Sequence, residues 1–430
     1  MHRALFHTLP ATLLLLLTAL PAQASQWQFD WDWAVSGQIH QLQNSDFIQP
    51  NNDSQTHLDG LLDVQIGYGQ WSGLFALYSQ DLYQSHPQSW FEKTNNQWIV
   101  REIAWQGEVE IGQHSIDLSL GKMRLDYGVS YGYRPLDMFK PYRQNPIGLS
   151  VEEGATVATL SKFDGNGEWS LLYTNSHWSD TDVDTFDKAN QQQGIGLRRY
   201  ALLAQHEYQL VAYYDDVRQG ALGGSWVSVI GDAWEFHSEA LWQHKSVGYE
   251  LPNAQYQAVD IKEQGHAWQA LAGFTYTSMT GHSLIGEYWY DSRAWSHTQW
   301  QQARSNAKSL QTHPATASLV NSYAQGLNHY NLTQHSAMLH WSWDTEAWLQ
   351  WQSDSHWHWL GDFTPKLDLL MSPQDGGIIA TQWLTYQWID SGEASVDLEF
   401  TARFLAGKSD SAYAQINDRR TLVFTIKGKF

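Results

Sequence analysis

The stretch Thr421-Leu422-Val423-Phe424-Thr425-Ile426-Lys427-Gly428-Lys429-Phe430 decides the fold. Successive side chains of a strand point to opposite faces. Leu422, Phe424, Ile426, Gly428 and Phe430 therefore share a greasy face, opposite Thr421, Val423, Thr425, Lys427 and Lys429. The same alternation recurs upstream. Trp27, Phe29, Trp31, Trp33 and Val35 alternate with Gln28, Asp30, Asp32, Ala34 and Ser36. Trp234, Phe236, Ala240 and Trp242 oppose Glu235, His237, Glu239 and Gln243, and Val396, Leu398, Phe400, Ala402 and Phe404 oppose Asp397, Glu399, Thr401 and Arg403.

Asp and Glu packed against a dry core would be costly, so the polar faces should line water and the apolar faces lipid. A terminal strand that stops on Phe430 resembles the C-terminal signal of bacterial outer-membrane β-barrels. The N-terminus agrees with that resemblance. Met1-His2-Arg3 is a short basic start, Ala11 to Leu20 is apolar, and Ala22-Gln23-Ala24 is a small-residue cleavage site. Residues 1–24 thus read as a signal peptide, and 25–430 as one barrel domain in the cell outer membrane. The apolar run is short of the roughly 20 residues of a membrane-spanning helix.

The 430-residue chain has no cysteine, so export without disulfides leaves stability to a closed barrel in which every backbone group is paired. Its mean hydropathy is negative, as expected where hydrophobicity is hidden in alternation. The 24 Trp and 21 Tyr suit aromatic girdles at the two membrane interfaces. Short turns are signalled at Asp164–Gly167, Met279–His282, Asp344–Glu346 and Asp390–Glu393. Long loops are expected near 42–55, 83–96, 125–152, 179–196, 247–263, 292–332, 358–376 and 407–418. The reading is an all-β, transmembrane antiparallel barrel with short periplasmic turns and long extracellular loops. The count is about 18 strands, an even number as such barrels require. Sixteen is the alternative if Lys366-Leu367-Asp368-Leu369-Leu370 is extra strand inside a loop.

A barrel of this size holds an aqueous channel or a plug. The alternation puts the acids Asp30, Asp32, Asp63, Asp117, Glu235, Glu239, Glu287, Asp291, Asp354, Asp397 and Glu399 on inward faces, against few bases, chiefly Arg403, Lys427 and Lys429. With a net charge of −20, such a lumen should favour cations or neutral solutes. Nucleic acid is disfavoured as a partner, since phosphate contacts need a basic surface.

One segment runs against that trend. Lys122, Arg124, Arg134, Lys140 and Arg143 gather among tyrosines and glycines in a candidate constriction loop, 122–152. Folded inward, its bases would face wall carboxylates and set a transverse field; the alternative is an ordinary exposed loop. It is the third external loop, and in classical porins that loop bends inward as the constriction. The block Gly121–Gly154, with its Gly-Lys start, Asp126-Tyr127-Gly128, Arg134-Pro135-Leu136-Asp137 and Glu153-Gly154, is also similar to alginate-export-type barrels. That likeness implies passage of a polyanion, against which the acidic lumen stands.

Catalytic signatures are missing: no Gly-x-Ser-x-Gly, His-Glu-x-x-His or phosphate-binding glycine loop occurs. Ser176 and His177 are sequence neighbours poorly placed to pair. His356 and His358 share a face if that stretch is a strand, and Asp354 could join them as a metal ligand; polar wall or loop histidines are the stronger reading among 19 His. His282, His335 and His340 show no ligand spacing. The expectation is a porin-like channel, not an enzyme, without cofactor, for small polar cationic or neutral solutes such as sugars. It would touch outer-membrane lipid and lipopolysaccharide, and a homotrimer or periplasmic partner stays open. The alternatives are an export conduit or scaffold working with periplasmic partners, and a barrel enzyme.

Overall fold

The structure, a computed structural model, describes residues 27–430 apart from 87–88, 113, 140–146, 255, 312–313 and 353–354. Eleven wall strands come first: β1 Gln28–Leu42, β2 Ser54–Tyr68, β3 Trp71–His86, β4 Ser89–Ile111, β5 His114–Met123, β6 Ala155–Asp164, β7 Gly167–Asn175, β8 Gln193–Leu203, β9 His206–Asp215, β10 Ala221–Ile230 and β11 Trp234–Gln243. A two-stranded hairpin, β12 Ser246–Glu250 with β13 Asp260–Gln264, lies in a loop. Seven further wall strands follow: β14 Ala267–Thr277, β15 His282–Asp291, β16 His335–Trp343, β17 Phe363–Met371, β18 Gly377–Asp390, β19 Ser395–Gly407 and β20 Asp418–Lys429. Each wall strand pairs antiparallel with the next, and β1 pairs with β20, so 18 strands close a ring.

The register places the two faces as the alternation requires. On the outside, Trp31, Val35 and Ile39 of β1 and Leu422, Phe424 and Phe430 at the β20 edge are exposed. Inside, Ser36, Gln38, Thr421 and Thr425 are buried. The seam is closed to its last residue. Phe430 and Trp31 exchange both backbone hydrogen bonds, at 3.2 and 3.1 Å, and their rings stack 4.7 Å apart. A closed barrel with exposed Leu, Phe, Trp and Ile around its outside can satisfy every backbone group in hydrocarbon. This exterior is that of a membrane-spanning barrel. Among the described residues no helix is long and apolar enough to cross a membrane.

Three expectations about connections need correction. The loop expected near 83–96 is instead continuous β3–β4 hairpin, paired as far as His86 with Ser89. The short turn expected at Asp344–Glu346 is the start of a longer segment on the turn side, containing helix α4 Thr345–Leu349 and a 3-10 helix Ser355–Asp362. The side chain of Asp344 caps α4 by accepting from the Ala347 N–H, which turns the chain helical where a hairpin was expected. Lys366–Leu370 consequently belongs to wall strand β17, pairing with β16 and β18, and the loop expected over 358–376 shrinks to 372–376.

The external loops form a layer of their own. Phe47, Phe186, Tyr249, Trp295, Trp300 and Ala412 belong to one buried cluster. They come from the loops after β1, β7, β11, β15 and β19, which are spaced around the whole ring. Residues launched from opposite sides of the rim share a core only by crossing the mouth. Helix α2, His297–Leu310, spans this layer, with Trp295 and Trp300 4.9 Å apart and Phe47 6.1 Å from Trp300. Arg304 ties it down, donating to Asp46 Oδ2 at 2.6 Å and to the Asp410 carbonyl at 2.7 Å.

Candidate functional site

The third external loop leaves β5 at a bend that only glycine accommodates. Gly121 has φ of 139°, and a Cβ there would lie 2.1 Å from the Ile103 carbonyl oxygen. Beyond the bend the chain enters the barrel. Tyr127, Leu136, Met138 and Phe139 of the loop pack with Val157, Leu172, Val211, Tyr213 and Leu241 on the inner faces of β6, β7, β9 and β11. Further along, Tyr131 and Tyr133 pack on Leu271, Trp289 and Met338 of β14, β15 and β16. The loop thus follows the inner wall across much of the ring.

Irregular backbone inside a barrel must find hydrogen-bond partners, and two wall glutamates supply them. Glu239 Oε1 accepts from the N–H of Val129 at 2.6 Å, the N–H of Ser130 at 2.8 Å and the Ser130 hydroxyl at 2.7 Å. Its Oε2 accepts from the Leu136 N–H at 3.3 Å. Glu287 takes the next two amides, Tyr131 and Gly132, at 2.7 Å each. Its Oε1 also lies 2.9 Å from His237 Nε2. A Cβ on Gly132 would come within 2.7 Å of Met338 Sδ, so a larger residue here must displace that thioether. Gln209 donates to the Tyr127 carbonyl at 2.6 Å, and the Tyr133 hydroxyl donates to Asp291 at 3.0 Å. Burial drives the Tyr133 phenol well above its ordinary pKa, so it stays a donor.

Contrary to expectation, the described bases pair mainly with acids of the loop itself, though Arg124 also lies within electrostatic reach of Glu102 on β4. Lys122 lies on β5, fully buried, with Nζ 2.8 Å from Glu153 and 3.6 Å from Asp180 and its charge over the Trp178 ring. Arg124 pairs with Asp126 at 3.0 Å and Glu152 at 3.5 Å, and Arg134 with Asp137 at 3.5 Å. Lys140 and Arg143 fall outside the described residues. The physical reason is local supply: the loop carries acids beside its described bases, while Glu239 and Glu287 bind the amides. Burial pushes the Glu153 carboxyl up, but Lys122, the Ser179 hydroxyl and the Asp180 and Thr181 donors outweigh it and hold the pKa near 2.

The remaining predicted acids fall into two groups. Glu239, Glu287 and Asp291 are consumed in holding loops, Asp291 also pairing with Arg293 at 2.7 Å. Asp30, Asp32, Asp63, Asp117, Glu235, Asp397 and Glu399 lie on lumen-facing register positions. Asp63 pairs with Arg101 at 2.5 Å and Glu399 with Lys427 at 3.0 Å. Asp32, Asp63, Asp397, Lys427 and Lys429 line a cavity of about 320 Å³ toward the turn side. Asp354 lies outside the described residues. His356 and His358 sit in the 3-10 helix and not on a strand, so they share no strand face. Ser176 and His177 lie past the end of β7 and are separately engaged: Ser176 Oγ accepts from the Gln192 N–H, and His177 Nδ1 contacts Asn175 Oδ1. Among the described residues no group of three or more His, Asp or Glu is placed to hold a metal.

Sequence reasoning overlooked Gln209, Gln269 and Arg218, and named His237 and His340 without their contacts to Glu287 and Tyr131. Gln209 and His237 hold the loop or its anchor, and Arg218 donates to the Met138 carbonyl at 2.5 Å. The usable signal was a Gln or His on the polar face beside an inward Glu.

No family model and no curated protein matches the sequence. Solved structures do. OccAB1 of Acinetobacter baumannii superposes with a TM-score of 0.51 at 10% identity, covering 94% of this chain and 96% of that one. OccK9 (OpdG) of Pseudomonas aeruginosa and a BenF-like porin of Pseudomonas fluorescens Pf-5 each give 0.51 at 10% identity, covering 94% of this chain and 98% of theirs. At this identity the likeness is one of fold.

Proposed function

We propose that the chain is an outer-membrane channel, exported after removal of residues 1–24, through which small polar cationic or neutral solutes such as sugars diffuse. The observation that carries this reading is the loop docked on Glu239 and Glu287, which narrows a closed 18-stranded barrel without consuming the acids elsewhere on the lumen face. Asp30, Asp32, Asp63, Asp117, Glu235, Asp397 and Glu399 then line the pore, and their excess over Arg101, Arg403, Lys427 and Lys429 sets the preference for cations. Arg124 and Arg134, paired within the loop, shape the constriction and do not set its sign.

The fold neighbours include a protein described as a porin, in keeping with passive transport and not with catalysis. The polyanion export implied by an alginate-export-type likeness gains no support from those neighbours and runs against a net charge of −20. Assembly as a homotrimer or with a periplasmic protein is the further part of the proposal, read from the native mass of the refolded barrel. The test of the main reading is single-channel recording in planar bilayers. A steady, cation-preferring conductance supports it, and silence from correctly folded protein overturns it.

A second reading has one specific observation behind it. The loop layer crossing the mouth, built on Trp295, Trp300 and Phe47, favours a gated conduit that conducts only when that layer parts.

A further inference from the structure

The turn side of the barrel carries one segment unlike its other connections. Residues 344–362 join β16 to β17 through α4 and a 3-10 helix, where the neighbouring hairpins turn in two to four residues. Its indoles are unusually bare: Trp351 is 58% exposed, Trp357 45% and Trp359 57%, and Met279 on the adjacent turn is 78% exposed. Water is a poor solvent for three half-bare indoles and a thioether gathered in one place.

The direction in which this patch continues identifies what covers it. Trp343 ends the outward face of β16, and its ring meets Trp348 at 5.5 Å, which meets Trp357 at 6.4 Å. A second chain runs from Trp359 to Phe363 at 5.8 Å and on to Tyr386 at 4.8 Å, both outward residues of β17 and β18. His282, outward on β15, stacks on Trp343 at 5.3 Å. The exposed indoles are thus continuous with the belt that faces hydrocarbon and not with the lumen. The Trp351 Nε1–H is already bonded to the Met279 carbonyl at 3.0 Å, and the Trp343 Nε1–H to that of Thr280 at 3.3 Å, so these indoles enter an apolar phase without an orphaned donor.

We propose that residues 344–352 and 355–362 lie flat in the headgroup region of the adjacent, periplasmic leaflet, with Trp351, Trp357 and Trp359 seated among phospholipids. Amphipathic indole rings settle at that depth. The segment carries the acids Asp344, Glu346, Asp354 and Asp362 and no lysine or arginine. Its hold on lipid is therefore apolar in origin and insensitive to salt, unlike that of basic interfacial helices. The proposal rests on the barrel being membrane-inserted with its turns toward the periplasm.

Because the chain has no cysteine, a single Trp357→Cys carries a nitroxide at one place. The variant is refolded into phosphatidylethanolamine–phosphatidylglycerol vesicles, and its collision rates with oxygen and with a nickel chelate are measured. Trp359→Cys serves if the first variant does not fold. The expected result is a nitroxide more accessible to oxygen than to nickel, and unchanged at high salt. Gln352→Cys, on an exposed polar position of the same segment, should show the reverse order. Leu210→Cys, on the outward face of β9, is the control for the barrel itself: if that label is nickel-accessible, membrane insertion fails and not this proposal alone. Nickel access at residues 357 and 359 with a protected residue 210 overturns the proposal, as does protection that appears only when periplasmic extract is added, which would make the patch a protein-docking surface.

Discussion

Replacing Glu239 with alanine should unlatch the constriction. The wild-type carboxylate accepts three short bonds from Val129 and Ser130 and a longer one from Leu136. Hydrogen bonds to a charged group contribute about 1.5–3 kcal/mol each, and a buried N–H left without a partner costs about 1–3 kcal/mol. These values do not add, because water enters the vacated space and Glu287 still grips Tyr131 and Gly132. A net loss of about 3 kcal/mol for the docked loop is a reasonable figure, equivalent to roughly a hundredfold shift toward the detached state. Leu136, fully buried against the wall, should keep the second half of the loop seated. The loosened part is then 129–130, and the expected phenotype is a larger, flickering single-channel conductance. Glu239→Gln, which keeps an acceptor but loses the charge, should fall between the two, and Glu239→Ala with Glu287→Ala should widen the pore further. Wild-type conductance and noise in the double variant would refute the claim that these carboxylates hold the constriction.

The same ion pairs and buried groups set three further outcomes. Neutralising Asp397 and Glu399 as Asn and Gln leaves Lys427 without its 3.0 Å partner and should lower cation preference in reversal-potential measurements; an unchanged reversal potential would remove both from the pore lining. His329, boxed by Phe186, Tyr249 and Trp295, is held near pKa 4 by burial, with Arg293 lowering it further and Asp291 opposing. Only the open layer binds its proton between pH 6.5 and 4, so closure is fully stabilised above pH 6.5 and loses up to about 3 kcal/mol as pH falls to 4. Protease sensitivity of the 292–334 loop should rise over that interval, and His329→Phe should flatten the profile. Glu153→Ala leaves the buried Lys122 charge only the more distant Asp180, 3.6 Å away, and should cost about 3 kcal/mol, seen as a lower unfolding temperature of the refolded barrel.

Most of the wall was legible because a strand's period of two survives any tertiary context: Leu422 and Asp397 fall on the faces that their neighbours dictate. Segment 344–362 was misread because Asp344-Thr345-Glu346 looks the same whether it makes a hairpin turn or caps a helix, and only the packing of Trp348 on Trp343 separates the two. The inward loop could be suspected from its composition, but not its mode of attachment. Basic residues suggested ion pairing across the lumen, whereas backbone amides, which no sequence displays, are what Glu239 and Glu287 bind. The loop layer was invisible for a similar reason. Phe47, Phe186 and Ala412 each lie more than a hundred residues from the next, and nothing local marks them as neighbours.

That layer has a consequence for how such a molecule can change over generations. Five loops that met water separately would be free to vary one at a time, each exchangeable for a foreign sequence. Here Phe47, Tyr249 and Trp300 lean on one another, so a substitution in any one loop is judged by the other four. Novelty at the mouth must arrive as coordinated sets, while an exposed hairpin turn such as 391–394, bonded within itself, drifts alone. Grafting a single external loop from a fold neighbour should therefore fail more often than grafting all five together.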